Sequence, residues 1–283
     1  MPGILQKIED SEFLDAVAQP AADLGSKLIP QGPVKDALTG KWLGHPVHPM
    51  LTDVAISFWT AATTLDLFGK RHERSAQTLT GLGIVSAVPT AAAGIADWVD
   101  SIGEERRVGL VHAAGNVAAL LAFTGSYLAR RNGNSGRGKV LSLLGATFMG
   151  GSGYLGGHLA YSIGAGVDRM AFDELPDDWT PVVSEDQLLP GSPALGRAGD
   201  VDVLVSRNGS GICAIANKCT HRGGPLNEGD VDTENQTVTC PWHGSQFNMC
   251  TGEVVQGPAS ARQPMFETRV SDGMVEVRTV RES

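Results

Sequence analysis

Two short groups of cysteine and histidine residues near the carboxyl end of the chain could bind a metal. Cys219 and His221 are separated by one residue, Cys240 and His243 by two, and eighteen residues lie between the groups. Thiolate sulfur and neutral imidazole nitrogen are both metal ligands. Glycine and proline residues accompany each group, so each pair is expected to lie in a tight loop. We therefore predict that two loops clamp one metal centre between them.

The spacing of these ligands separates two kinds of metal centre. Zinc sites built from Cys and His usually have two-residue gaps in both halves, which the single residue between Cys219 and His221 does not match. The pattern C-x-H followed by C-x-x-H instead resembles the Rieske iron–sulfur family, and the resemblance continues through residues 244–248 and 251–259. It implies a 2Fe–2S cluster. Two thiolates, Cys219 and Cys240, would hold one iron, and two imidazoles, His221 and His243, the other.

The ligand types and the residues near them affect the reduction potential expected for the cluster. Neutral imidazoles in place of anionic thiolates remove negative charge, so the reduced cluster is less destabilised and the potential rises. High-potential family members in quinol-oxidising complexes have a serine and a tyrosine after the last ligand, whose hydroxyls donate to sulfur. Here Ser245 keeps the serine, but Phe247 replaces the tyrosine. Gly224 and Trp242 stand where those complexes have a disulfide. We predict an intermediate potential.

Short apolar strands surround the two loops and predict a small all-β domain over residues 181–283, preceded by a linker at 166–180. The strands alternate or run apolar between turn residues, and Asn208-Gly209 is typical of a hairpin turn. The expected strands include residues 201–205, 212–216, 238–240 and 275–277.

Cys213 and Cys250 are the two remaining cysteines. Both are expected in strands beside the ligand loops. The default interpretation is a pair of buried free thiols that pack as small apolar side chains. A disulfide between them remains the alternative if the fold brings them together.

Three uncharged runs of at least 22 residues predict membrane helices in the middle of the chain, at residues 75–96, 108–129 and 140–167. A fourth run is interrupted by Asp53 and Asp66. We predict four transmembrane helices near residues 47–68, 77–98, 108–130 and 139–163, within a domain at 41–165. A soluble Ala- and Gly-rich helical bundle is the alternative. The expected fold is therefore multidomain: an N-terminal α-helical transmembrane four-helix bundle and a C-terminal all-β Rieske 2Fe–2S domain. The segment 1–40 is expected to form amphipathic helices without chemistry.

The string Gly-His-Pro-Val-His-Pro at residues 44–49 resembles the opening of an uncharacterised bacterial family of four-helix membrane domains. The resemblance covers roughly residues 40–165. It implies a membrane location and no established activity.

Four histidines outside the cluster motif are expected at one end of the helical domain. His45 and His48 precede or begin the first helix, His112 lies near the start of the third and His158 near the end of the fourth. Alternating helix direction then places all four at one membrane surface. Ionisable residues in membrane helices are costly and usually functional, and imidazole is a common haem ligand. We predict a haem b or metal site, with interfacial histidines bonded to helix ends or lipid headgroups as the alternative.

Basic residues in the loops indicate the orientation. The loops after the first and third predicted helices contain Lys70, Arg71 and Arg74, and then Arg130, Arg131, Arg137 and Lys139. Because cytoplasmic loops carry excess Lys and Arg, both termini and the cluster domain are expected on the outer face of a bacterial cell membrane.

Charge is distributed unevenly along the chain. Residues 174–283 contain 16 acidic and 8 basic residues, whereas the rest is nearly neutral. This acidity excludes nucleic acid as a partner and favours a redox protein with a basic docking face, besides membrane lipid.

The motifs together predict a membrane-anchored carrier of single electrons. The alternatives are a ferredoxin-like component of an oxygenase or reductase system and a membrane redox sensor. A complete oxygenase is not expected, because it needs a second domain with a mononuclear iron. We assign no catalytic residue, and whether the chain is an oxidoreductase in its own right stays open.

Overall fold

The computed structural model describes residues 3–189, 191–209 and 211–280, which divide into two units. One unit contains the chain up to Pro30 together with Pro46–Ala165, and the other contains Gln31–His45 together with the chain from Gly166. The boundary therefore differs from the predicted one, since residues 31–40 group with the C-terminal domain. Residues 1–2 and 281–283, at the ends of the first and last predicted segments, lie outside the described residues.

The first unit is helical, and the segment Gln31–His45 of the second unit also contains a helix. The N-terminal segment forms helices, as expected. The helices are α1 (Ile4–Glu9), α2 (Asp15–Leu28), α3 (Pro33–Thr39), α4 (His48–Leu67), α5 (Glu73–Trp98), α6 (Gly103–Arg131) and α7 (Ser135–His158), followed by a π-helical turn at Leu159–Ile163.

The last four of these helices match the predicted positions to within a few residues. Pro49 stands in the first turn of α4, where a missing N–H costs nothing. The side chain of Asn134 caps α7 by accepting a hydrogen bond from the Arg137 amide. The helical prediction is confirmed for all four.

Two segments among the described residues, Lys70–Trp98 and Gly103–Arg131, are long and apolar enough to cross a bilayer. They correspond to the second and third predicted spans. Membrane crossing by α4 and α7 stays a prediction.

The four long helices form two similar hairpins, α4–α5 and α6–α7. His112 lies 64 positions after His48, and Phe123 lies 64 positions after Trp59. Trp59 and Phe123 stack face to face, with ring centroids 4.5 Å apart and planes 8° from parallel. Equivalent residues of the two hairpins therefore meet in the centre of the unit.

Glycines on the second helix of each hairpin make room for these rings. A Cβ atom added at Gly83 would lie 2.3 Å from the Trp59 ring nitrogen, and one at Gly145 would lie 2.8 Å from the Phe123 ring. The two glycines are 62 positions apart. The chain thus repeats one hairpin with small residues at matching places, which allows close helix packing.

The C-terminal domain consists of two antiparallel sheets. The strands are β1 (Thr180–Ser184), β2 (Ala194–Ala198), β3 (Val201–Asn208), β4 (Gly211–Ala216), β5 (Asp230–Asp232), β6 (Thr237–Thr239), β7 (Gln246–Asn248), β8 (Val254–Gln256), β9 (Met265–Ser271) and β10 (Met274–Thr279). The first sheet has the order β1-β10-β9-β4-β3-β2 and the second β5-β6-β7-β8. The predicted strands and the hairpin at Asn208-Gly209 are confirmed.

The first sheet curls so that its edge strands approach each other. A Cβ atom at Gly196 of β2 would lie 2.6 Å from the carbonyl oxygen of Val182 in β1. Apolar side chains fill the interior of this curled sheet, among them Val203, Val205 and Val275, which are fully buried. These side chains form the apolar core of the first sheet.

A disulfide joins Cys213 and Cys250, so the default interpretation of two free thiols is wrong. Cys213 lies on β4 of the first sheet and Cys250 lies two residues after the end of β7 of the second, with Cα atoms 4.8 Å apart. The amide of Asn208 donates to both sulfurs. Sequence spacing could not reveal this bond, because the pairing depends on how the two sheets meet.

Candidate functional site

Two loops with the same hydrogen-bonding pattern carry the predicted ligands. In the first loop, the Cys219 amide donates to the Gly224 carbonyl, and the Gly223 amide donates to the Cys219 carbonyl. In the second loop, Cys240 forms the same two bonds with Ser245 and Gly244. Gly223 and Gly244 both have positive φ, at 79° and 75°, where a side chain would be strained. The glycines of the motif therefore serve to close the two loops.

The loops approach each other closely at one glycine. A Cβ atom at Gly224 would lie 2.8 Å from the Cys240 sulfur and 3.1 Å from the Trp242 ring. Gly224 and Trp242 stand where the quinol-oxidising complexes have their extra disulfide, and here the Trp242 ring packs on Gly224.

The two thiols of the motif are buried and unbridged. Cys219 and Cys240 are 1% and 3% exposed, and both are free cysteines. A hydrogen bond between the thiols raises the pKa of Cys219 and lowers the pKa of Cys240. A second thiolate beside the first is unfavourable unless positive charge joins them, which iron would supply.

The two imidazoles of the motif meet beside these thiols. The rings of His221 and His243 lie at 86° with centroids 5.1 Å apart. The Nδ1 atoms of both rings are buried and form no hydrogen bond with the described residues. Burial lowers the pKa of His221 to about 3, and the neighbouring His243 adds to this effect. A neutral ring with a buried Nδ1 acceptor can bind iron.

The donor set fits a 2Fe–2S cluster. Two thiols and two imidazoles converge from separate loops, which is the ligand set of a Rieske centre.

Ser245 connects the second ligand loop to the loop that follows β8. Its side chain is fully buried, and its hydroxyl oxygen accepts a 2.9 Å hydrogen bond from the Ala259 amide. Donation from this hydroxyl to a cluster sulfur stays a prediction. Phe247, two positions further on, is also fully buried and packs in the apolar core around the ligand loops.

Gln263 holds the first ligand loop, and nothing in the sequence singled it out. Its side chain is almost fully buried. The amide nitrogen donates to the carbonyls of Ala216 and Lys218 at 2.7 Å, and the amide oxygen accepts from the Thr220 N–H at 3.2 Å. The ligand residues Cys219 and His221 are therefore fixed by a side chain more than forty positions away.

The four predicted histidines outside the cluster motif are divided between the two units, and a common site for them stays a prediction. His45 belongs to the C-terminal unit, whereas the other three belong to the helical unit. His158 donates from Nε2 to the Glu9 carboxylate at 2.6 Å. His48 begins α4, and His112 lies on α6 at the equivalent position of the second hairpin.

His48 and His112 occupy equivalent environments in the two hairpins. The Nδ1–H of His48 donates to the Thr90 carbonyl at 2.9 Å, and that of His112 donates to the Ser152 carbonyl at 2.8 Å. Nδ1 is then the protonated nitrogen, so Nε2 carries the lone pair. Both imidazoles are therefore oriented with Nε2 as the acceptor.

Glycines again allow the close approach of each ring. A Cβ atom at Gly94 would lie 2.7 Å from the His48 ring, and one at Gly156 would lie 3.1 Å from the His112 ring. These glycines are 62 positions apart, as are Gly83 and Gly145.

Known protein families match the two parts of the chain. A Rieske [2Fe-2S] domain matches residues 178–267. The family described as predicted membrane protein (DUF2231) matches residues 44–169.

Individual relatives match the C-terminal domain. Ferredoxin CarAc of Metapseudomonas resinovorans is 33% identical over 100 residues, which cover 35% of this chain and 92% of that protein. The anthranilate 1,2-dioxygenase ferredoxin subunit of Burkholderia cepacia is 31% identical over 100 residues, covering 35% and 91%. Among solved structures, the ferredoxin of carbazole 1,9a-dioxygenase from Nocardioides aromaticivorans IC177 is 27% identical, with a TM-score of 0.35, and covers 37% of this chain and 100% of that one. The chain therefore belongs to the Rieske [2Fe–2S] proteins through its C-terminal domain, which it joins to a DUF2231 domain.

Proposed function

We propose that this chain is a multi-pass membrane protein that carries single electrons to or from a separate redox protein. One observation carries the proposal. Two buried free thiols and two buried imidazole Nδ1 atoms converge from two loops, and both loops have the same backbone hydrogen bonds. A bound 2Fe–2S cluster supplies one-electron chemistry.

The protein residues hold the ligands still and exclude water. Gln263 fixes the first loop, and the Ser245 hydroxyl fixes the second loop against the Ala259 amide. Leu226, Val238 and Phe247 are fully buried around the thiols and keep the site apolar. A rigid, dry site lowers the structural change that accompanies gain or loss of an electron.

Exposed apolar side chains support four membrane crossings. Leu121 on α6 is 67% exposed, and Val140 and Leu143 on α7 are 68% and 64% exposed. Phe68, at the end of α4, is 67% exposed. Large apolar side chains in water are unfavourable, whereas lipid chains would cover them.

The disulfide supports placement of the cluster domain on the outer face. Disulfides persist in oxidising compartments and are rare in the cytoplasm of mesophiles. The Cys213–Cys250 bond therefore agrees with the distribution of basic loop residues.

An acidic surface supports a basic partner. Glu228, Asp230, Asp232 and Glu234 are exposed within seven residues that contain no Lys or Arg. Such a surface attracts positive charge over about 8–10 Å at physiological ionic strength. The partner would be steered to this side of the domain.

The second candidate function is that of a ferredoxin component in an oxygenase or reductase system. The relatives named above are a ferredoxin and a ferredoxin subunit of a dioxygenase. A ferredoxin component would deliver electrons to a catalytic protein, whereas a redox sensor would report its oxidation state without fast turnover.

Membranes from cells that produce the protein should contain a reducible Rieske centre. We expect an electron paramagnetic resonance signal in the washed membrane pellet that titrates with one electron, at a midpoint within about −150 to +300 mV. Reduced membranes should reduce cytochrome c, used as a basic probe protein, at a rate that falls as salt is added.

Each part of the proposal has a contrary outcome in that experiment. Zinc, or iron without acid-labile sulfide, would contradict the cluster. A signal in the soluble fraction would contradict the anchor and favour a ferredoxin component, and slow, salt-independent transfer would favour a sensor. Protease added to spheroplasts should remove the signal, and its survival would contradict the outer face.

We further propose that His48 and His112 bind the iron of a haem b. The specific observation is their matched setting, in which each Nδ1–H donates to a backbone carbonyl and leaves Nε2 as an acceptor. Metal-binding histidines commonly donate their second ring N–H to such a partner. The Nε2 of His112 now accepts from the Asn116 amide at 2.9 Å, a bond that iron would replace.

Replacing either histidine should remove the haem absorbance. We expect His48→Gln and His112→Gln to lower the Soret band of purified membranes by at least about tenfold, because each change would remove one imidazole that holds the iron. His158→Gln is the matched control and should keep the band. A wild-type protein without haem, or a band retained in both ligand variants, would end this part of the proposal.

A further inference from the structure

A segment far from the cluster motif in sequence packs against the second ligand loop. Gln31–His45, which includes helix α3, groups with the C-terminal domain. More than 170 residues separate it from the first ligand. We call Gln31–His45 the cap segment, and we call residues 257–264, between β8 and β9, the covering loop.

Two polar side chains of the cap segment bond to the backbone around the cluster motif. The side-chain amide of Gln31 donates to the carbonyl of the ligand His243 at 3.3 Å. The Asp36 carboxylate accepts a 2.9 Å hydrogen bond from the amide of Gly257, the first residue of the covering loop. The cap segment therefore contacts both the second ligand loop and the covering loop.

The contact at Gly257 is close, and the carboxylate that makes it is held in place. A Cβ atom at Gly257 would lie 3.0 Å from the Asp36 carboxylate and 3.4 Å from the Thr39 hydroxyl. The Lys41 ammonium forms an ion pair with Asp36 at 3.2 Å and also donates to the Val255 carbonyl in β8. Glycine at position 257 thus lets a fixed carboxylate lie directly against the backbone of the covering loop.

The covering loop connects this contact to Ser245. Two residues after Gly257, the Ala259 amide donates to the Ser245 hydroxyl oxygen at 2.9 Å. A backbone N–H can only donate, so this bond uses the hydroxyl oxygen as an acceptor and leaves its proton for another acceptor. Ser245 is fully buried and Ala259 is 1% exposed, so water has little access to that proton.

We propose that Asp36 is a positioning residue for Ser245 and thereby raises the reduction potential of the cluster. By holding the Gly257 amide, the carboxylate keeps the Ala259 amide on the Ser245 oxygen, and the Ser245 proton is then directed to a cluster sulfur. A hydrogen bond to sulfur favours the reduced cluster, because the added electron makes the sulfur more negative. This inference rests on the cluster proposed above, and it adds a residue of the cap segment that acts on the cluster's potential.

The negative charge of Asp36 by itself would have the opposite effect. A carboxylate near the cluster disfavours an added electron, so removing its charge alone would raise the midpoint. Losing the hydrogen bond to Gly257 should instead lower the midpoint. The direction of the shift therefore distinguishes a positioning role from a simple effect of charge.

The test compares Asp36→Ala with wild type in full-length protein in membranes. We expect the equilibrium constant for one-electron reduction to fall by at least about threefold, which lowers the midpoint by about 28 mV. Asp36→Asn keeps an oxygen that can accept from the Gly257 amide, so it should not lower the midpoint. Asp186→Ala, which removes an exposed carboxylate between β1 and β2, is the matched control and should leave the midpoint unchanged.

Two further measurements test the route through Ser245. Ser245→Ala should lower the midpoint by itself, and adding Asp36→Ala to it should lower the midpoint no further, because changes that act through one group are not additive. Hydrogen–deuterium exchange needs no cluster signal. It should be faster at the Gly257 and Ala259 amides in Asp36→Ala and unchanged there in Asp186→Ala.

The outcomes separate this inference from the function on which it rests. A wild-type protein without a cluster signal would remove the proposed function. With a normal wild-type signal, an unchanged or raised midpoint in Asp36→Ala would overturn the role of Asp36 alone. Unchanged exchange of the two amides would overturn it as well, and so would an equal fall in the midpoint with and without the Ser245 hydroxyl.

A second variant covers the case in which Asp36→Ala holds no cluster. Gly257→Ala places a methyl group against the Asp36 carboxylate and changes no charge. We expect it to lower the midpoint in the same direction, because it separates the carboxylate from the covering loop. A midpoint equal to that of wild type in Gly257→Ala would then overturn the inference.

Discussion

Replacing Cys240 with serine will abolish the Rieske signal and lower bound iron and acid-labile sulfide by at least about tenfold. Changes beside a metal ligand already weaken binding by about 10–100-fold, and loss of the ligand itself must weaken it at least as much. The serine hydroxyl keeps its proton at neutral pH, whereas the iron needs a thiolate. Cys240 is 3% exposed in an apolar core, so no water-borne ligand readily takes its place.

The double variant Cys213→Ser, Cys250→Ser is the matched control for this experiment. It removes two sulfurs from the same domain, but they belong to the disulfide and not to the ligand set. We expect it to keep the cluster and to lose stability by roughly 2–5 kcal/mol. A wild-type content of iron and sulfide in Cys240→Ser would contradict the ligand assignment. Circular dichroism of both variants would check that the domain is folded.

Local patterns predicted the ligands because the chemistry is local. The Cys and His residues lie within two short stretches, and the glycines that close each loop stand beside them. The three long uncharged runs likewise predicted the positions of α5 to α7, and a fourth apolar run with two aspartates predicted α4, since composition acts over one segment.

Long-range pairings were not predictable in the same way. Gln263 reaches the first ligand loop, and Asp36 reaches the covering loop, through contacts that depend on the finished fold. The same reason explains the incorrect interpretation of Cys213 and Cys250, whose sulfurs meet where two sheets join. No spacing rule gives such distances from one sequence.

The repeat of the helical hairpin is a signal that the sequence did contain. His48 and His112, and Trp59 and Phe123, share one spacing of 64 residues. Few equivalent positions of the two hairpins have the same residue type, because packing needs side chains of similar volume and not identical side chains. The structure makes the repeat visible because equivalent positions meet, as in the Trp59–Phe123 stack.

Breaking the ion pair between Asp66 and Arg130 will destabilise the helical unit by about 3–5 kcal/mol. These positions are also 64 apart, so they are a second equivalent pair that meets face to face. Arg130 donates to both carboxylate oxygens of Asp66 at 2.8 and 2.5 Å. Their side chains are 2% and 7% exposed. Removing one partner leaves a buried charge without its counter-charge, which costs more than the pair contributes.

Neighbouring residues bind the Arg130 side chain and leave room for it. Its Nε–H donates to the Ser126 hydroxyl at 3.2 Å, and that hydroxyl donates to the Gly138 carbonyl at 2.7 Å. A Cβ atom at Gly138 would lie 2.6 Å from the Arg130 side chain. The sequence presents Arg130 and Arg131 as equal members of one basic loop, yet Arg130 is buried and Arg131 is exposed.

This difference supplies the matched control. Arg130→Met should lower the free energy of unfolding by the stated amount, whereas Arg131→Met should change it by less than about 1 kcal/mol. Equilibrium unfolding in mild detergent, followed by the helical circular dichroism signal, measures both. Asp66→Asn combined with Arg130→Met should cost less than the two single changes summed, because the second removes a charge that the first has already left unpaired. Equal losses from Arg130→Met and Arg131→Met would show that the pair does not fasten the two hairpins together.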